Sequence, residues 1–183
     1  MCVICVKRKG QALPDYEMVK AMAETNPHGF GFATPSETYK SMDFYDFYEH
    51  LKKVKKSEPC IMHFRLATHG SKKRDNCHPF TSDGISFAHN GILDIVPIDD
   101  KTDSETAFET RILPVVRKYG FGSRPFKACI EKIIGYSKFA FLNGDKVATF
   151  GPFTYYKGYL VSNKHFVRHY DFSSWYADIL KAV

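Results

Sequence analysis

Cys2 is the residue whose position most strongly indicates chemistry, because it directly follows the initiator methionine. Its side chain is small enough for the usual aminopeptidase to remove Met1, which would leave a free α-amine beside a thiol. An α-amine titrates near ~7.7–8.0 and can serve as a general base at neutral pH. A thiolate is a strong nucleophile toward a carbonyl carbon. Position alone still favours a buried strand cysteine, so Cys2 needs support from other residues.

Four polar segments downstream contain the other residues with chemical potential. Taken singly, each has an ordinary interpretation: Arg65 as a surface ion pair, Asp103 as a helix N-cap and Asn90-Gly91 as a turn. Their order along the chain, together with Cys2, is far more specific than any one of them. The segments are His63-Phe64-Arg65-Leu66-Ala67-Thr68-His69-Gly70, Asn76-Cys77-His78-Pro79-Phe80, Ala88-His89-Asn90-Gly91-Ile92 and Thr102-Asp103-Ser104-Glu105.

This ordered set resembles the class II glutamine amidotransferases. That family shares an Arg-x-Ala-Thr-His-Gly turn, an Asn-x-His-Pro loop, a His-Asn-Gly element and a Thr-Asp-[Ser/Thr]-Glu helix start. The resemblance extends from Cys2 to about Glu109, with a weaker match at Gly29-Phe30-Gly31. It implies a fold of the N-terminal nucleophile hydrolase type and the hydrolysis of glutamine to glutamate and ammonia.

The resemblance also implies a role for each catalytic residue. Cys2 would attack the side-chain amide of the substrate. The side-chain amide of Asn90 and the backbone N–H of Gly91 would form the oxyanion hole. Donors of this kind act where negative charge develops, and each contributes about 2.7–4 kcal/mol.

Substrate binding is implied for three further parts of the chain. Arg65 would hold the α-carboxylate, a task that suits the bidentate guanidinium group. Asp103 would hold the substrate ammonium and could also cap its helix. Thr68, His69 and Gly70 would form a loop that closes over glutamine. His78 and His89 are interpreted as structural hydrogen-bonding residues outside the catalytic set.

The hydrophobic pattern predicts the elements that must position these residues. A polar loop is predicted at 68–81. Strands are predicted at 2–7, 29–33, 37–42, 60–67, 85–89, 92–96, 138–142, 146–150, 159–162 and 165–169. Helices are predicted at 14–25, 43–54, 103–119, 126–134 and 173–180.

The grouping of these elements predicts an α+β fold. Strands occur in groups with helices between them, which indicates two sheets packed face to face with helices outside. The four-layer αββα sandwich is implied by the family resemblance rather than by periodicity. Pro114 should kink its helix, Asn143-Gly144 should form a tight hairpin turn, and the glycines at 29–33 indicate close backbone approach.

Composition limits the class of protein. A chain of 183 residues, 44% of them hydrophobic, is consistent with one globular domain spanning 1–183. No apolar run could span a bilayer and no signal peptide is recognisable, so a cytoplasmic protein is expected. The net charge of +6 comes with basic runs at 52–56 and 72–74. We interpret these as solvated surfaces rather than a nucleic-acid site, because charge runs alone specify little.

The five cysteines raise the alternative of a zinc site. An odd number in a cytosolic protein makes a disulfide framework improbable, and most should be buried, inert thiols. Cys2-x-x-Cys5 and Cys60-x-x-His63 have plausible ligand spacing. However, both pairs lie in predicted strands, where residues i and i+3 point to opposite faces. No metal and no cofactor are therefore expected.

Two other functions and one partner remain open. A related N-terminal nucleophile amidohydrolase could act on a γ-glutamyl or other amide, and a non-catalytic binding protein could retain the fold. No synthase domain is recognisable after the glutaminase motifs. Either a separate protein accepts the ammonia, or amide hydrolysis completes the reaction. A closed loop at 68–76 could form one wall of an ammonia route, and Lys72, Lys73 and Arg74 could dock an acidic partner.

Overall fold

The computed structural model of the protein describes residues 1–67 and 71–181, with side chains described through Ser174 and at Tyr176. Ten strands in this part of the chain form two antiparallel sheets. The first sheet has the order β3-β2-β4-β1-β10-β9, and the second has the order β5-β6-β7-β8. The strands are β1 (Val3–Lys7), β2 (Phe30–Ala33), β3 (Thr38–Ser41), β4 (Cys60–Phe64), β5 (Phe80–Ser82), β6 (Ile85–Asn90), β7 (Lys138–Asn143), β8 (Lys146–Phe150), β9 (Thr154–Tyr156) and β10 (Tyr159–Val161).

Helices surround the two sheets. Asp15, Asp43 and Ser123 cap the N-termini of α1, α2 and α5, each accepting a backbone N–H three residues ahead. A π-helical segment, Phe108–Ile112, connects α3 to α4. The helices are α1 (Tyr16–Thr25), α2 (Phe44–Leu51), α3 (Asp103–Ala107), α4 (Leu113–Tyr119), α5 (Arg124–Ile133) and α6 (Val167–Lys181).

Alternation along β1 shows how the layers form. Val3 and Cys5 join the core between the first sheet and helices α1, α2 and α6, whereas Ile4 and Val6 join the core between the two sheets. A third core packs the second sheet against α3, the π-helical segment, α4 and α5. The order of layers is therefore helix, sheet, sheet, helix, which confirms the predicted αββα sandwich.

Aromatic packing fixes the helical segment that begins at Asp103. The ring of Phe87 on β6 stacks on Phe108, with centroids 5.5 Å apart, and Phe126 on α5 meets Phe141 at 5.4 Å. Each of these fully buried rings contributes roughly 1.5–3 kcal/mol through removal from water. This packing anchors α3 to the end of β6, where the candidate site residues lie.

Glycine allows close approach in β2, as predicted. A side chain at Gly31 would overlap the carbonyl oxygen of His78. The β7–β8 hairpin also forms, although Asn143 is the last strand residue and the two-residue turn is Gly144-Asp145. A π-helical segment precedes Pro114, which lies in the first turn of α4. The kink at Pro114 stays a prediction.

Two predicted strands are wrong. Residues 92–96 form no strand, because the backbone N–H of Leu93 donates to the Asp103 carboxylate at 2.9 Å instead of to a strand. Residues 165–169 lead into α6, which begins at Val167. The strands β5 and β9 were not predicted, since three residues are too few for a period-two pattern. Among the residues described, no helix has both the length and the apolar character needed to cross a membrane.

Candidate active site

Cys2 immediately precedes β1, one of the two central strands of the first sheet. β1 pairs with β4 on one side and with β10 on the other, so both neighbours constrain the nucleophile strand. The backbone N–H of Leu66 donates to Cys2 Sγ at 3.4 Å, and Asn163 Nδ2 donates to the Cys2 carbonyl oxygen at 2.6 Å. The thiol is thus held at the end of the sheet with a donor directed at its sulfur.

A pocket of about 320 Å³ opens beside this thiol. Four of the predicted site residues line it together: Cys2, Arg65, Gly91 and Asp103. They come from the start of β1, the end of β4, the end of β6 and the start of α3, so the sandwich converges residues that are far apart in sequence. The remaining lining residues are Leu66, Ala67, Asn76, His78, His89, Ile92, Leu93, Ile95, Pro97, Lys101, Thr102 and Ser104.

The electrostatic surroundings of the thiol act in opposite directions. Burial raises the pKa of Cys2, while the hydrogen bond from Leu66, the nearby N-terminal amine and Arg65 each lower it. Burial alone raises the pKa of Cys5, which lies in the helix-side core. Burial has the largest effect on Cys2, so its pKa is raised overall, and the groups that favour its thiolate offset only part of this effect.

Arg65 is buried, with 4% of its surface exposed. This burial contradicts the alternative in which Arg65 belongs to a surface ion pair. Its Nη1 donates to the carbonyl oxygen of Ser71 at 3.0 Å. His28 fixes the backbone here, because His28 N donates to the Arg65 carbonyl oxygen and its Nδ1 accepts from the N–H of Ala67 at 3.0 Å. A guanidinium in this setting is held rigidly at the pocket wall.

Asp103 is the first residue of α3, and Thr102 is the N-cap, which corrects the expectation that Asp103 caps this helix. Thr102 has the extended backbone of a cap, and its hydroxyl accepts from the N–H of Glu105 at 3.1 Å. The carboxylate of Asp103 accepts from Leu93 N at 2.9 Å and from Ser104 N at 2.7 Å. It is therefore fixed in orientation and adds negative charge to the pocket.

Asn90 and Gly91 end β6 next to the pocket. Asn90 is 3% exposed, and its Nδ2 donates to Ser162 Oγ at 2.9 Å, whereas its buried Oδ1 has no hydrogen-bond partner among the residues that the structure describes. Gly91 has φ +150°, and a side chain there would overlap Ser137. Only glycine fits this conformation and close approach. Thr68, His69 and Gly70 lie outside the described residues.

Three histidines form a buried cluster, and two of them, His78 and His89, line the pocket. His63 and His78 have ring centroids 4.3 Å apart, and His78 and His89 are 6.3 Å apart. The interpretation as a structural hydrogen-bonding residue agrees with the surroundings of His89, whose Nδ1 is 2.7 Å from Ser104 Oγ. It is not supported for His78, because neither of its buried ring nitrogens has a hydrogen-bond partner within residues 1–67 and 71–174.

The two residue pairs with zinc-ligand spacing are Cys2 with Cys5 and Cys60 with His63. In each pair, the two side chains point in different directions. Cys5 and Cys60 lie in the helix-side core, whereas Cys2 faces the pocket and His63 Nε2 meets the carbonyl oxygen of His89 on the second sheet. Within residues 1–67 and 71–181, no group of three or more metal-binding side chains converges.

Three residues of the site were missed by sequence reasoning. His28, Ser162 and Asn163 act through hydrogen bonds to residues 37 or more positions away, and none belongs to a recognisable motif. Only a prediction of which strands pair with each other could have indicated these three residues.

The fold is of the N-terminal nucleophile hydrolase type. The fold is similar to that of a solved structure of the allosteric regulatory enzyme of purine biosynthesis, with a TM-score of 0.58 and 13% sequence identity. That likeness covers 93% of this chain and 43% of the other.

The chain belongs to the class-II glutamine amidotransferases, whose family model matches residues 48–149. The matched segment contains Arg65, Asn90, Gly91 and Asp103. Similar curated proteins include the glutamine–fructose-6-phosphate aminotransferases (isomerizing) of Rhizobium meliloti, 29% identical over 100 residues, and of Rhizobium leguminosarum bv. viciae, 31% identical over 100 residues. Each match covers 49% of this chain but only 16% of the relative.

Proposed function

We propose that this protein hydrolyses the side-chain amide of glutamine to glutamate and ammonia, with Cys2 as the nucleophile after removal of Met1. The observation that carries the proposal is the single pocket that brings together Cys2, Arg65, Gly91 and Asp103. These residues supply a nucleophile, a cation, a backbone donor and an anion, which is the set needed to bind and cleave the amide of a zwitterionic amino acid.

Binding follows from the charges at the pocket wall. The guanidinium of Arg65 takes the α-carboxylate through paired hydrogen bonds. The carboxylate of Asp103, already oriented by Leu93 and Ser104, takes the ammonium. Because Arg65 is almost fully buried, water competes little for these interactions, and the side-chain amide is directed toward Cys2.

The chemistry requires a free α-amine on Cys2. This amine accepts the thiol proton while the sulfur attacks the amide carbon, and the carbonyl oxygen becomes an oxyanion held by Gly91 N–H and the Asn90 amide. Collapse of the tetrahedral intermediate breaks the C–N bond, and the amine returns the proton to the departing ammonia. Water then attacks the γ-glutamyl thioester with the same amine as base, which releases glutamate and restores the thiol.

A labelling experiment tests the nucleophile. The diazo-ketone analogue of glutamine, 6-diazo-5-oxo-norleucine, should modify Cys2 with loss of glutaminase activity. The Cys2→Ala variant should be neither labelled nor active. Cys129→Ala is the matched control, because Cys129 is the other partly exposed cysteine and lies outside the pocket. Labelling that persists in Cys2→Ala would show that the nucleophile is elsewhere.

Intact mass and N-terminal sequencing of the active protein test the processing step. The active form should begin at Cys2. A protein that retains Met1 and still turns over glutamine at full rate would exclude the α-amine of Cys2 as the general base.

We also propose a separate protein that accepts the ammonia. Most ammonia is protonated at neutral pH and is then no nucleophile, so its use in synthesis requires a sheltered route. Supporting this, the segment that borders the pocket exposes apolar side chains, with Ile92 69% and Val96 86% exposed. The basic side chains at 72–74 follow Ser71, whose carbonyl oxygen binds Arg65 at the pocket, and would complement an acidic partner.

The partner proposal is tested by turnover with and without lysate from the source, alongside a pull-down. Slow basal turnover that a co-purifying protein stimulates is expected, and Val96→Ser should weaken that stimulation without changing basal turnover. Fast turnover by the purified chain, with nothing captured, would leave a self-sufficient amidohydrolase.

A further inference from the structure

Ser162 connects the two sheets at the active site. It follows β10, is 2% exposed, and its Oγ accepts from the backbone N–H of Ile4 at 2.8 Å. The same Oγ lies 2.9 Å from Asn90 Nδ2. Ser162 N also donates to the Ile4 carbonyl oxygen at 2.9 Å. One hydroxyl thus contacts β1, the strand that follows Cys2, and the residue that ends β6.

Hydrogen-bond counting decides how the Asn90 amide is oriented during catalysis. With Nδ2 facing Ser162, the serine oxygen accepts two hydrogen bonds, and no described residue donates to the buried Asn90 Oδ1. A buried acceptor without a donor costs about 1–3 kcal/mol. After a 180° turn of the amide, the hydrogen of the Ser162 hydroxyl can be donated to Oδ1, while its oxygen still accepts from the Ile4 N–H. The amide N–H₂ then takes the vacated position and needs an acceptor.

We propose that Ser162 is a positioning residue that holds Asn90 Oδ1 and thereby directs the Asn90 N–H₂ toward the oxyanion formed above Cys2. This role rests on the glutamine hydrolysis proposed above. Because Ser162 also binds the backbone of Ile4, two residues after the nucleophile, it fixes the thiol and the oxyanion donor relative to the same atom. Asn163 adds to this by binding the Cys2 carbonyl oxygen at 2.6 Å.

The Ser162→Ala variant tests the role through kinetics. Complete loss of one oxyanion donor lowers kcat by about 10²–10³. Ser162→Ala keeps the Asn90 donor but no longer holds it, so we expect kcat to fall roughly 10-fold to 100-fold, with KM for glutamine nearly unchanged. The affinity for glutamate γ-semialdehyde, which forms an oxyanion when it adds to Cys2, should fall by the same factor as kcat/KM. The affinity for glutamate, which forms none, should stay the same.

Ser86→Ala is the matched control. Ser86 is also buried, at 5% exposure, and its hydroxyl is 3.0 Å from Thr81 Oγ1, away from the pocket. Its removal should leave kcat and semialdehyde affinity intact. If Ser162→Ala keeps the kcat and semialdehyde affinity of the unmodified chain, the role is overturned and the proposed function stands.

A measurement on the unmodified chain covers the case in which Ser162→Ala does not fold. In the covalent semialdehyde adduct, the Asn90 side-chain amide protons should show nuclear Overhauser contacts to the thiohemiacetal proton. A folded adduct without these contacts rejects the role of Ser162. An unmodified chain that neither hydrolyses glutamine nor binds the semialdehyde overturns the proposed function, and the role of Ser162 with it.

Discussion

The guanidinium of Arg65, which is proposed to bind the substrate carboxylate, is almost fully buried at the pocket wall. Arg65→Lys keeps the charge but removes the paired donors, so KM for glutamine should rise roughly 10-fold to 100-fold while the fold persists. Steady-state kinetics measure this. Arg117→Lys is the control, because Arg117 forms an exposed ion pair with Asp83 at 2.6 Å. If amides without an α-carboxylate are hydrolysed as well as glutamine is, the assignment of Arg65 is wrong.

Gly91 combines a backbone conformation that side chains rarely adopt with contact to Ser137. The Cβ of Gly91→Ala would lie 2.8 Å from Ser137 Cβ and 2.9 Å from Ser137 Cα. The substitution should lower the free energy of unfolding by about 1–3 kcal/mol and displace the backbone N–H from the oxyanion. Activity should therefore fall roughly 100-fold.

Urea denaturation and kinetics on Gly91→Ala and Gly120→Ala separate the two effects. Gly120 also has a positive φ, +83°, but an added Cβ there would meet nothing within 4 Å. Gly120→Ala should lose stability and keep kcat. Equal loss of kcat in both variants would contradict a specific function for the Gly91 backbone.

Motifs predicted residues that line the pocket better than those that support them. Cys2, Arg65, Gly91 and Asp103 do share one pocket. Ser162 was missed because its bonds join residues 72 and 158 positions apart, and such pairs leave no local pattern. The unpartnered ring of His78 could not be foreseen either, since burial of both nitrogens depends on the packing of three elements.

At the scale of the element, the first turn of α3 controls the orientation of Asp103. Thr102→Ala removes the cap at the N–H of Glu105 and should cost about 1 kcal/mol of stability. Because Asp103 follows directly, KM for glutamine should also rise severalfold. Ser123→Ala removes the equivalent cap of α5, outside the pocket, and should cost similar stability without a change in KM.

Thermal unfolding and KM, measured together on Thr102→Ala and Ser123→Ala, test this coupling. If Thr102→Ala is destabilised and binds glutamine normally, the first turn of α3 is structural only.

The elements themselves were predictable where their pattern is long. α1, α2 and the helical segment from Asp103 were found, as were β1, β4, β7 and β8. The apolar run at 92–96 was misread, because its Ile92 and Val96 are exposed on a loop that borders the pocket rather than paired in a sheet. Apolar alternation alone does not distinguish these two situations.

At the scale of the whole molecule, the buried histidine cluster sets the response to acid. Burial lowers the pKa of His63 to about 3, with Arg65 and Lys40 acting in the same direction. Burial also lowers the pKa of His89 to about 4, against the opposing charge of Asp103, and lowers that of His78 well below its ordinary value. All three rings are therefore neutral in the folded protein at pH 7.

Stability should fall as the pH drops below about 6.5, the unfolded value for histidine. The unfolded chain then binds protons that the folded chain excludes, so the free energy of unfolding decreases until the folded pKa values are reached. By pH 5, His63 and His89 should each have cost about 2 kcal/mol. Urea denaturation between pH 8 and pH 5 measures this loss.

The control for the histidine cluster compares two substitutions. His63→Gln should make the pH dependence shallower, because one buried ring no longer resists protonation. His165→Gln, at an exposed position, should leave the dependence unchanged. A stability that is constant from pH 8 to pH 5 would contradict burial of neutral histidines.

The placement of β1 between β4 and β10 limits how far the protein can be trimmed. A fragment cut to residues 48–149 would keep every residue of the matched family segment, including Arg65, Asn90 and Asp103. It would lack Cys2 with the adjoining strand β1, and it would also lack β10, which pairs with β1. The same holds for transplanting the site into another protein, since a graft would have to carry both ends of the chain as well as its middle.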